Sequence, residues 1–347
     1  MSGKIYLIHG DSEADDPCLG LIWIRVWVIN ENDAKEVTLK PSFNEKTRTF
    51  TVKVLNSGTN NIYHETIIQY PRTTTSTSSL KIEAPSTSLQ GEGLDNLFFT
   101  TIRADLTNGA IALETLRADS VNLETTNGGI SGTYQAGHID CSTSNGHITV
   151  KLDLRDARDG KQSMVTTKTV NASVDVQVKA TRTTRGLKMK SLAKNGNVKV
   201  DALIEKADRG SYVKTESGNG KIDFNLNAGK SQQPLEVVNL TSNGAIESTV
   251  VLPPNQYFSG LVESSNAPVK VELKGEFEGR FDMKTYHDRA VIEGQDLELE
   301  QDDESIKRGY RVRNRPSSIK VLSTNGPTTL RFLPSPSCSC SASDKQS

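Results

Sequence analysis

Asn-Gly pairs recur at Asn108, Asn127, Asn145, Asn195, Asn219, Asn243 and Asn325, with Asn-Ala at Asn171 and Asn266; from Asn108 to Asn266 the steps are 19, 18, 26, 24, 24, 24 and 23 residues. A self-similar period of tens of residues marks a stacked architecture, in which one unit is too small to bury its own apolar face and leans on its neighbours. Both flanks of the pairs keep phase. Upstream, alternate residues are apolar or small, as at Val121, Leu123 and Thr125, at Ile139, Cys141 and Thr143, at Val165, Thr167 and Thr169, and at Ile319, Val321 and Ser323. Downstream, the alternation restarts three residues after the Asn, at Ile111 and Leu113, Ile148 and Val150, Val174 and Val176, Val198 and Val200, Ile222 and Phe224, and Val269 and Val271.

Period-two alternation describes a strand with one buried side. Asn-Gly reads as a tight turn whose glycine takes positive φ, so valine at Gly146 or Gly220 is expected to be destabilising. Each repeat is then two strands and two turns, the second turn falling near Arg117-Ala118-Asp119 in one unit and Gln135-Ala136-Gly137 in the next. The predicted fold is all-β, a two-sheet β-solenoid of about eight or nine coils over residues 80–333, forming a rod on the order of 40 Å long at about 4.8 Å per strand. Its scaffold residues are the turn residues Asn127, Gly128, Asn145, Gly146, Asn219, Gly220, Asn243 and Gly244, with Val121, Leu123, Ile139, Ile148, Val198, Val200, Ile222 and Phe224 inside. An antiparallel β-sandwich with Asn-Gly hairpins is the structural alternative. Outward positions such as Glu114, Glu124, Lys151, Lys199, Asp201, Lys221, Asp223 and Lys270 carry mixed charge, which favours solubility and guards against edge pairing.

Residues 1–70 read as a β-rich N-terminal cap or subdomain, with strands around Ile5–Ile8, Leu21–Ile29, Phe50–Leu55 and Thr66–Tyr70. Residues 71–79 have the composition of a Ser/Thr-rich linker, and residues 334–347 that of a disordered tail. The 59-residue step from Asn266 to Asn325 reads as an irregular coil with a solvated charged loop around Glu298-Leu299-Glu300-Gln301-Asp302-Asp303-Glu304.

The train of Thr-Thr-Asn-Gly and Thr-Ser-Asn-Gly turns resembles the adhesin-like family DUF4097, particularly its fungal-type members, over roughly residues 80–333. Gly275–Thr285, then Lys307-Arg308-Gly309-Tyr310 and the final Ser323-Thr324-Asn325-Gly326, are similar to the ending those members share. The resemblance implies a two-sheet superhelix like that of pectin-lyase solenoids, lacking their catalytic residues, and a role in adhesion.

The 41 basic and 42 acidic residues nearly cancel, so no bulk field steers the whole chain toward nucleic acid. The apolar run Leu19–Ile29 is interrupted by Arg25 and is shorter than a membrane span, and the N-terminus lacks the ordered regions of an export signal, so a cytoplasmic location is the default expectation. Cell-surface display would require a different N-terminus.

Candidate chemistry is sparse. Asp140, Asp153, Asp156 and Asp159 with Arg155 and Arg158 are the densest group of the kind that polysaccharide cleavage uses, most of them in a loop between Leu152 and Val165. His138 and His147 are expected on opposite sheets, and His9, His64 and His287 are scattered, which does not make a zinc site. Cys141 reads as a buried thiol, Cys18 stands alone, and Cys338-Ser339-Cys340 lies in the tail as a soft-metal or lipid candidate. Asn171-Ala172-Ser173 and Asn239-Leu240-Thr241 match the glycosylation sequon. No catalytic, cofactor-binding or metal residue is assigned. The expected function is a non-catalytic, adhesin-like binding or structural module for a carbohydrate or protein partner, with no nucleic acid and no membrane span. The alternatives are an intracellular protein–protein scaffold and a polysaccharide-active β-helix enzyme.

Overall fold

The computed structural model describes residues 2–10, 21–28, 38–44, 49–55, 62–230, 233–312 and 315–334. Cys18, Cys338, Cys340 and the tail beyond Pro334 lie outside them, as do Leu19, Gly20 and Ile29 of the apolar run.

The chain begins with β1 (Ser2–Gly10), β2 (Leu21–Val28), β3 (Thr38–Asn44), β4 (Thr49–Leu55) and β5 (Ile62–Pro71). Two-strand coils follow: β6 (Ser76–Ala84) with β7 (Thr87–Glu92), then β8 (Phe98–Leu106) with the first half of β9 (Ile111–Thr125). The second half of β9 leads to β10 (Ile130–Ala136), and β11 (His138–Thr143) to β12 (Ile148–Arg155). Next come β13 (Ser163–Thr169) with β14 (Val174–Arg182), and β15 (Leu187–Ala193) with β16 (Val198–Ile204). They are followed by β17 (Ser211–Ser217) with β18 (Ile222–Asn227), β19 (Leu235–Thr241) with β20 (Ile246–Leu252), and β21 (Phe258–Ser264) with β22 (Val269–Gly275). The chain closes with β23 (Gly279–Thr285), β24 (Ala290–Glu293), β25 (Leu297–Asp302), β26 (Ile306–Arg311), β27 (Ser317–Ser323) and β28 (Thr328–Leu333).

From β6 to β22 each strand pairs in parallel with the equivalent strand one coil away, so the fold is an all-β solenoid. Strands following the asparagine turn form sheet I (β7, β9, β10, β12 and onward to β22), and strands leading into it form sheet II (β6, β8, β9, β11, β13 and onward to β21). β9 serves both sheets, bending near Arg117–Ser120 without ending, and Gly137 alone turns the chain between β10 and β11. Both expected second turns are therefore corners. β1 and β5 extend sheet I beyond β7, β2 pairs antiparallel with β5, and β3 and β4 form a separate two-stranded sheet. The segment at Pro71 closes β5 with a turn, Thr74 N–H donating to the Pro71 carbonyl at 2.9 Å.

Register explains the alternation. The third residue after each Asn stacks on its counterpart, giving the column Ile111, Ile130, Ile148, Val174, Val198, Ile222, Ile246 and Val269, all essentially inaccessible to water. Burying such a side chain contributes roughly 1.5–3 kcal/mol, so a coil gains its stability from its two neighbours. The thin core also admits a polar rung. Buried Thr215 Oγ1 donates to Asn239 Oδ1 at 2.6 Å, and Asn239 Nδ2 donates across the core to Ser248 Oγ at 3.0 Å, so the three side chains of this rung satisfy one another. Asn239 is thus an interior residue, and its sequon leaves no room for a glycan in the folded stack.

The asparagine turns differ from the sequence-based expectation in mechanism. The strands on either side of each turn lie in different sheets, so the turn is a solenoid corner and no hairpin is made. Gly128, Gly146, Gly220 and Gly244 do not adopt positive φ; among the described residues, that conformation falls instead on glycines such as Gly160 and Gly186 at the opposite corners. What excludes a side chain is stacking. A Cβ on Gly146 would lie 1.8 Å from the Gly128 carbonyl oxygen, and one on Gly220 would lie 2.1 Å from that of Gly196.

Two sets of side-chain bonds hold the corners. The Asn Nδ2 of each coil donates to the Oδ1 of the Asn beneath it, at 2.5 Å for Asn127 on Asn108, 2.6 Å for Asn145 on Asn127, 2.7 Å for Asn171 on Asn145 and 2.8 Å for Asn195 on Asn171. The ladder runs on through Asn219, Asn243 and Asn266 to Asn325, whose Nδ2 donates to Asn266 Oδ1 at 2.6 Å. Two residues before most of these Asn, a Thr or Ser hydroxyl donates to the turn carbonyl of the coil below and accepts from its own coil's Gly N–H. Thr143 Oγ1 does so with Gly128 O at 2.9 Å and Gly146 N at 3.1 Å.

Leu106 and Ala193 break that second pattern, leaving the Gly109 and Gly196 N–H groups without a hydroxyl acceptor. Deamidation at Asn-Gly proceeds by attack of the glycine nitrogen on the Asn side-chain carbonyl, with loss of ammonia. The hydroxyl bond holds that nitrogen in place, and the ladder holds the carbonyl. Asn108 and Asn195, whose glycine nitrogens lack the clamp, are expected to deamidate before the clamped pairs. Asn108 goes first, because its Nδ2 donates to Ser86 at 3.3 Å and its amide has a ladder neighbour on one side alone, and Asn195 second. Peptide mapping by mass spectrometry after mildly alkaline incubation of the folded protein checks the order, and conversion that starts at Asn145, Asn219 or Asn243 would refute it.

The far end departs from sequence order. β27 pairs with β21 on one side and with β23 on the other, while β28 lies between β22 and β24. The last coil of the chain is thus inserted between its two predecessors, which puts Asn325 directly on Asn266 and accounts for the 59-residue step. Phe277, Phe332, Phe281 and Phe258 fill the break, Phe277 stacking on Phe332 at 5.3 Å. The charged stretch expected as a loop is largely strand: β25 pairs antiparallel with β26, which pairs with β23. Arg308 bonds Asp282 at 2.8 Å and Arg289 bonds Glu304 at 3.0 Å, and this charged edge discourages further strand addition.

Among the described residues two coils carry no ladder asparagine and flank the nine that do: β6–β7 at one end, turning at Pro85-Ser86, and β23–β24 at the other, turning through Tyr286-His287-Asp288-Arg289.

Candidate functional site

Alternation leaves every second side chain on an outer face, at about 4.8 Å between rungs, so the available surfaces are two flat arrays and two edges. On sheet I the charges interlock. Lys199 lies 3.9 Å from Asp175 and 3.8 Å from Asp201, Lys221 pairs with Glu247 at 2.9 Å, and Lys270 with Glu272 at 2.8 Å. The Glu272 carboxyl is held below its usual range by the Lys270 bond, which outweighs the opposing effect of partial burial. Beside these pairs lies an open depression of about 370 Å³, where Leu203 and Val251 meet a polar rim of Asp201, Asn225, Asn227 and Thr249. Asn225 Nδ2 donates to Asp201 Oδ1 at 3.0 Å across it.

The acid-and-arginine group does not converge. Asp140 stands on the outer face of β11 in sheet II, and Asp153 on that of β12 in sheet I, where it accepts from Gln135 Nε2 at 2.5 Å. β12 runs on to Arg155, so the loop starts at Asp156. Desolvation raises the Asp156 pKa, but bonds from Thr184 Oγ1 at 2.6 Å and Arg185 N–H at 3.2 Å outweigh it, and the net shift is downward. Asp159 accepts from the Lys161 N–H at 3.0 Å. Arg158 pairs with Asp119 at 3.1 Å and lies 4.1 Å above the Phe98 ring. Asp156, Asp159 and Arg158 thus help to fix the corner.

His138 begins β11 while His147 sits beside the asparagine turn, accepting the Ser173 N–H at Nδ1 (3.3 Å), so the two occupy opposite ends of one coil. His64 is half-buried, its Nε2 3.4 Å from Thr87 Oγ1, and burial lowers its pKa. His9 lies on β1 and His287 in the turn before β24. Cys141 is fully buried and unpaired; burial, and then the neighbouring Asp140, raise its pKa far above the usual thiol range, which keeps it protonated. Among the described residues no three His, Cys, Asp or Glu side chains gather as metal ligands, and no helix is long and apolar enough to cross a membrane.

No family model matches the chain, and no curated protein does. A crystal structure described as a "putative cell adhesion protein" from Clostridium sporogenes aligns with 96% of this chain and 89% of that one, at 11% identity and a TM-score of 0.17. A score that low carries no argument about this chain.

Sequence reasoning missed the hydroxyl clamp and the inserted coil. The clamp had a signal, a Thr or Ser at a fixed offset before most of the Asn, but it was read only as part of the inward alternation.

Proposed function

We propose that this chain is a non-catalytic, adhesin-like binding module that offers a rigid β surface to a carbohydrate or protein partner. The observation that carries this reading is the pair of ladders, one of asparagine amides and one of hydroxyl clamps. Together they fix the spacing of outward side chains from coil to coil, so a partner meets a preorganised array and its binding orders little in the protein. The depression on sheet I, aliphatic at its base and lined by amide, hydroxyl and carboxylate groups, has the character of a sugar-binding surface. The side chains that polysaccharide cleavage would need are spread over two sheets and a corner, and several are tied into structural bonds. That favours binding over the enzyme alternative.

Co-sedimentation of the purified chain with a panel of insoluble cell-wall polysaccharides, against a heat-denatured control, tests the reading. Saturable binding of the folded protein to one polymer is expected. Equal pelleting of folded and denatured chain, or none with any polymer, transfers the weight to a protein-scaffold role.

A further inference from the structure

Between Gln177 and Val198 the chain carries Lys179, Arg182, Arg185, Lys188, Lys190 and Lys194 and no acidic residue, in a protein whose charges nearly cancel as a whole. The β15 coil places Lys188 and Lys190 on the outer face of sheet II. On the next coil Tyr212 lies beside Lys188 and Lys214 beside Lys190. On the previous coil Lys168 lies beside Leu192 and Met164, 44% exposed, beside Lys188.

The acids near this group are few. Glu216 pairs with Lys214 at 2.6 Å, Glu236 follows Tyr212 in register, and Asp140 faces Lys168. Among the described residues neither Lys188 nor Lys190 has a carboxylate within ion-pair distance, whereas Lys199, Lys221 and Lys270 on the other face all do. Like charges stacked on adjacent rungs repel; Glu216 offsets Lys214, but no carboxylate pairs with Lys188 or Lys190 among the described residues, so the patch is explained by what it attracts.

We propose that this face of sheet II binds an anionic polysaccharide, with Lys188 and Lys190 on one rung and Lys214 on the next meeting its carboxylates and Tyr212 offering its ring to a sugar face. The proposal rests on the reading of the chain as a binding module and adds the face and the charge of the ligand. The patch favours a glycan over a nucleic acid. Its outward cations are lysines, point charges rather than the planar forks that grip phosphate, and it offers one aromatic ring where single strands are held by a series of stacked bases. The spacing of about 4.8 Å between the rungs of Lys190 and Lys214 is also close to the length of one sugar in a polymer.

The test compares polygalacturonate with its methyl-esterified form, which keeps the backbone and loses the charge, using affinity electrophoresis of the full chain. Retardation by polygalacturonate alone is expected, weakening as salt rises. The double variant Lys188→Glu/Lys190→Glu is expected to lose at least about tenfold in affinity, from removal of two attractive charges and introduction of two repulsive ones. The variant Lys151→Glu/Lys230→Glu, equal in net charge and placed away from the patch, should keep wild-type binding, and an unchanged unfolding midpoint in both verifies folding. Equal retardation by the esterified polymer, or full binding by the Lys188/Lys190 variant, overturns the proposal while leaving a neutral-sugar or other-face adhesin intact. Tighter binding to oligo-deoxythymidylate than to polygalacturonate overturns it in favour of a nucleic-acid surface. Failure to bind either galacturonan overturns it as well, and the co-sedimentation panel then decides whether the broader reading survives.

Discussion

Valine at Gly146 is expected to destabilise the protein by more than about 4 kcal/mol, in the range reached by changes that a close-packed site cannot absorb. The added Cβ would meet the Gly128 carbonyl oxygen at 1.8 Å, and carbonyl and Cα alike belong to backbone held by parallel ladders on both sides. Alanine should be milder, because Ala172 and Ala267 occupy the equivalent place in two coils of this chain, so the stack admits a methyl group there. Urea unfolding of the two variants checks both statements. A valine variant within about 0.5 kcal/mol of wild type would show that the coils separate at little cost.

Ending the chain after Pro316, which removes β27 and β28, is expected to unmoor the whole distal end. In the described residues every strand pairing that joins β23 and β24 to the stack runs through those two strands, and β25 and β26 reach it only by way of β23. The deletion also takes Ile319, Val321, Leu330 and Phe332 out of the core, each a loss of about 1.5–3 kcal/mol. Hydrogen exchange should show protection lost across residues 279–311 while β11–β18 keep theirs, as expected of a stack whose units contact only neighbours. Retained protection in 279–311 would mean that these strands restack directly on β21 and β22.

Much of this fold was legible because the physics that builds it is local and repeated. The alternation around each Asn places Val121, Leu123, Ile139, Ile148, Val198, Val200, Ile222 and Phe224 inside, and all eight are buried. The turn glycines were placed correctly for the wrong reason. An Asn-Gly hairpin turn would need positive φ at its glycine, whereas here Gly128 and Gly146 are required by the approach of one corner to the next, a contact between coils that no single turn reveals. The inserted coil was illegible for a related cause. Ser323-Thr324-Asn325-Gly326 reads as one more corner, and its sequence carries no mark of which coil it will lie against.

The site was less legible than the scaffold. Asp140 and Asp153 are close along the chain but face opposite directions from different sheets, while Lys190 and Lys214 are far apart in sequence and adjacent on the surface. In a solenoid, surface neighbours are separated by a full coil, so clusters of charge along the sequence are a poor guide to clusters in space.

The two edges of the rod obey different rules. Every asparagine corner, such as 126–129, 144–147, 194–197 and 218–221, spans the same four residues, whereas the opposite corners take one residue at Gly137, seven at 156–162, six at 205–210 and five at 253–257. The uneven steps in the repeat are absorbed on that second edge. An epitope or affinity tag spliced into 156–162 would therefore project from the side of the rod, leaving the order of the rungs and the composition of both faces as they were.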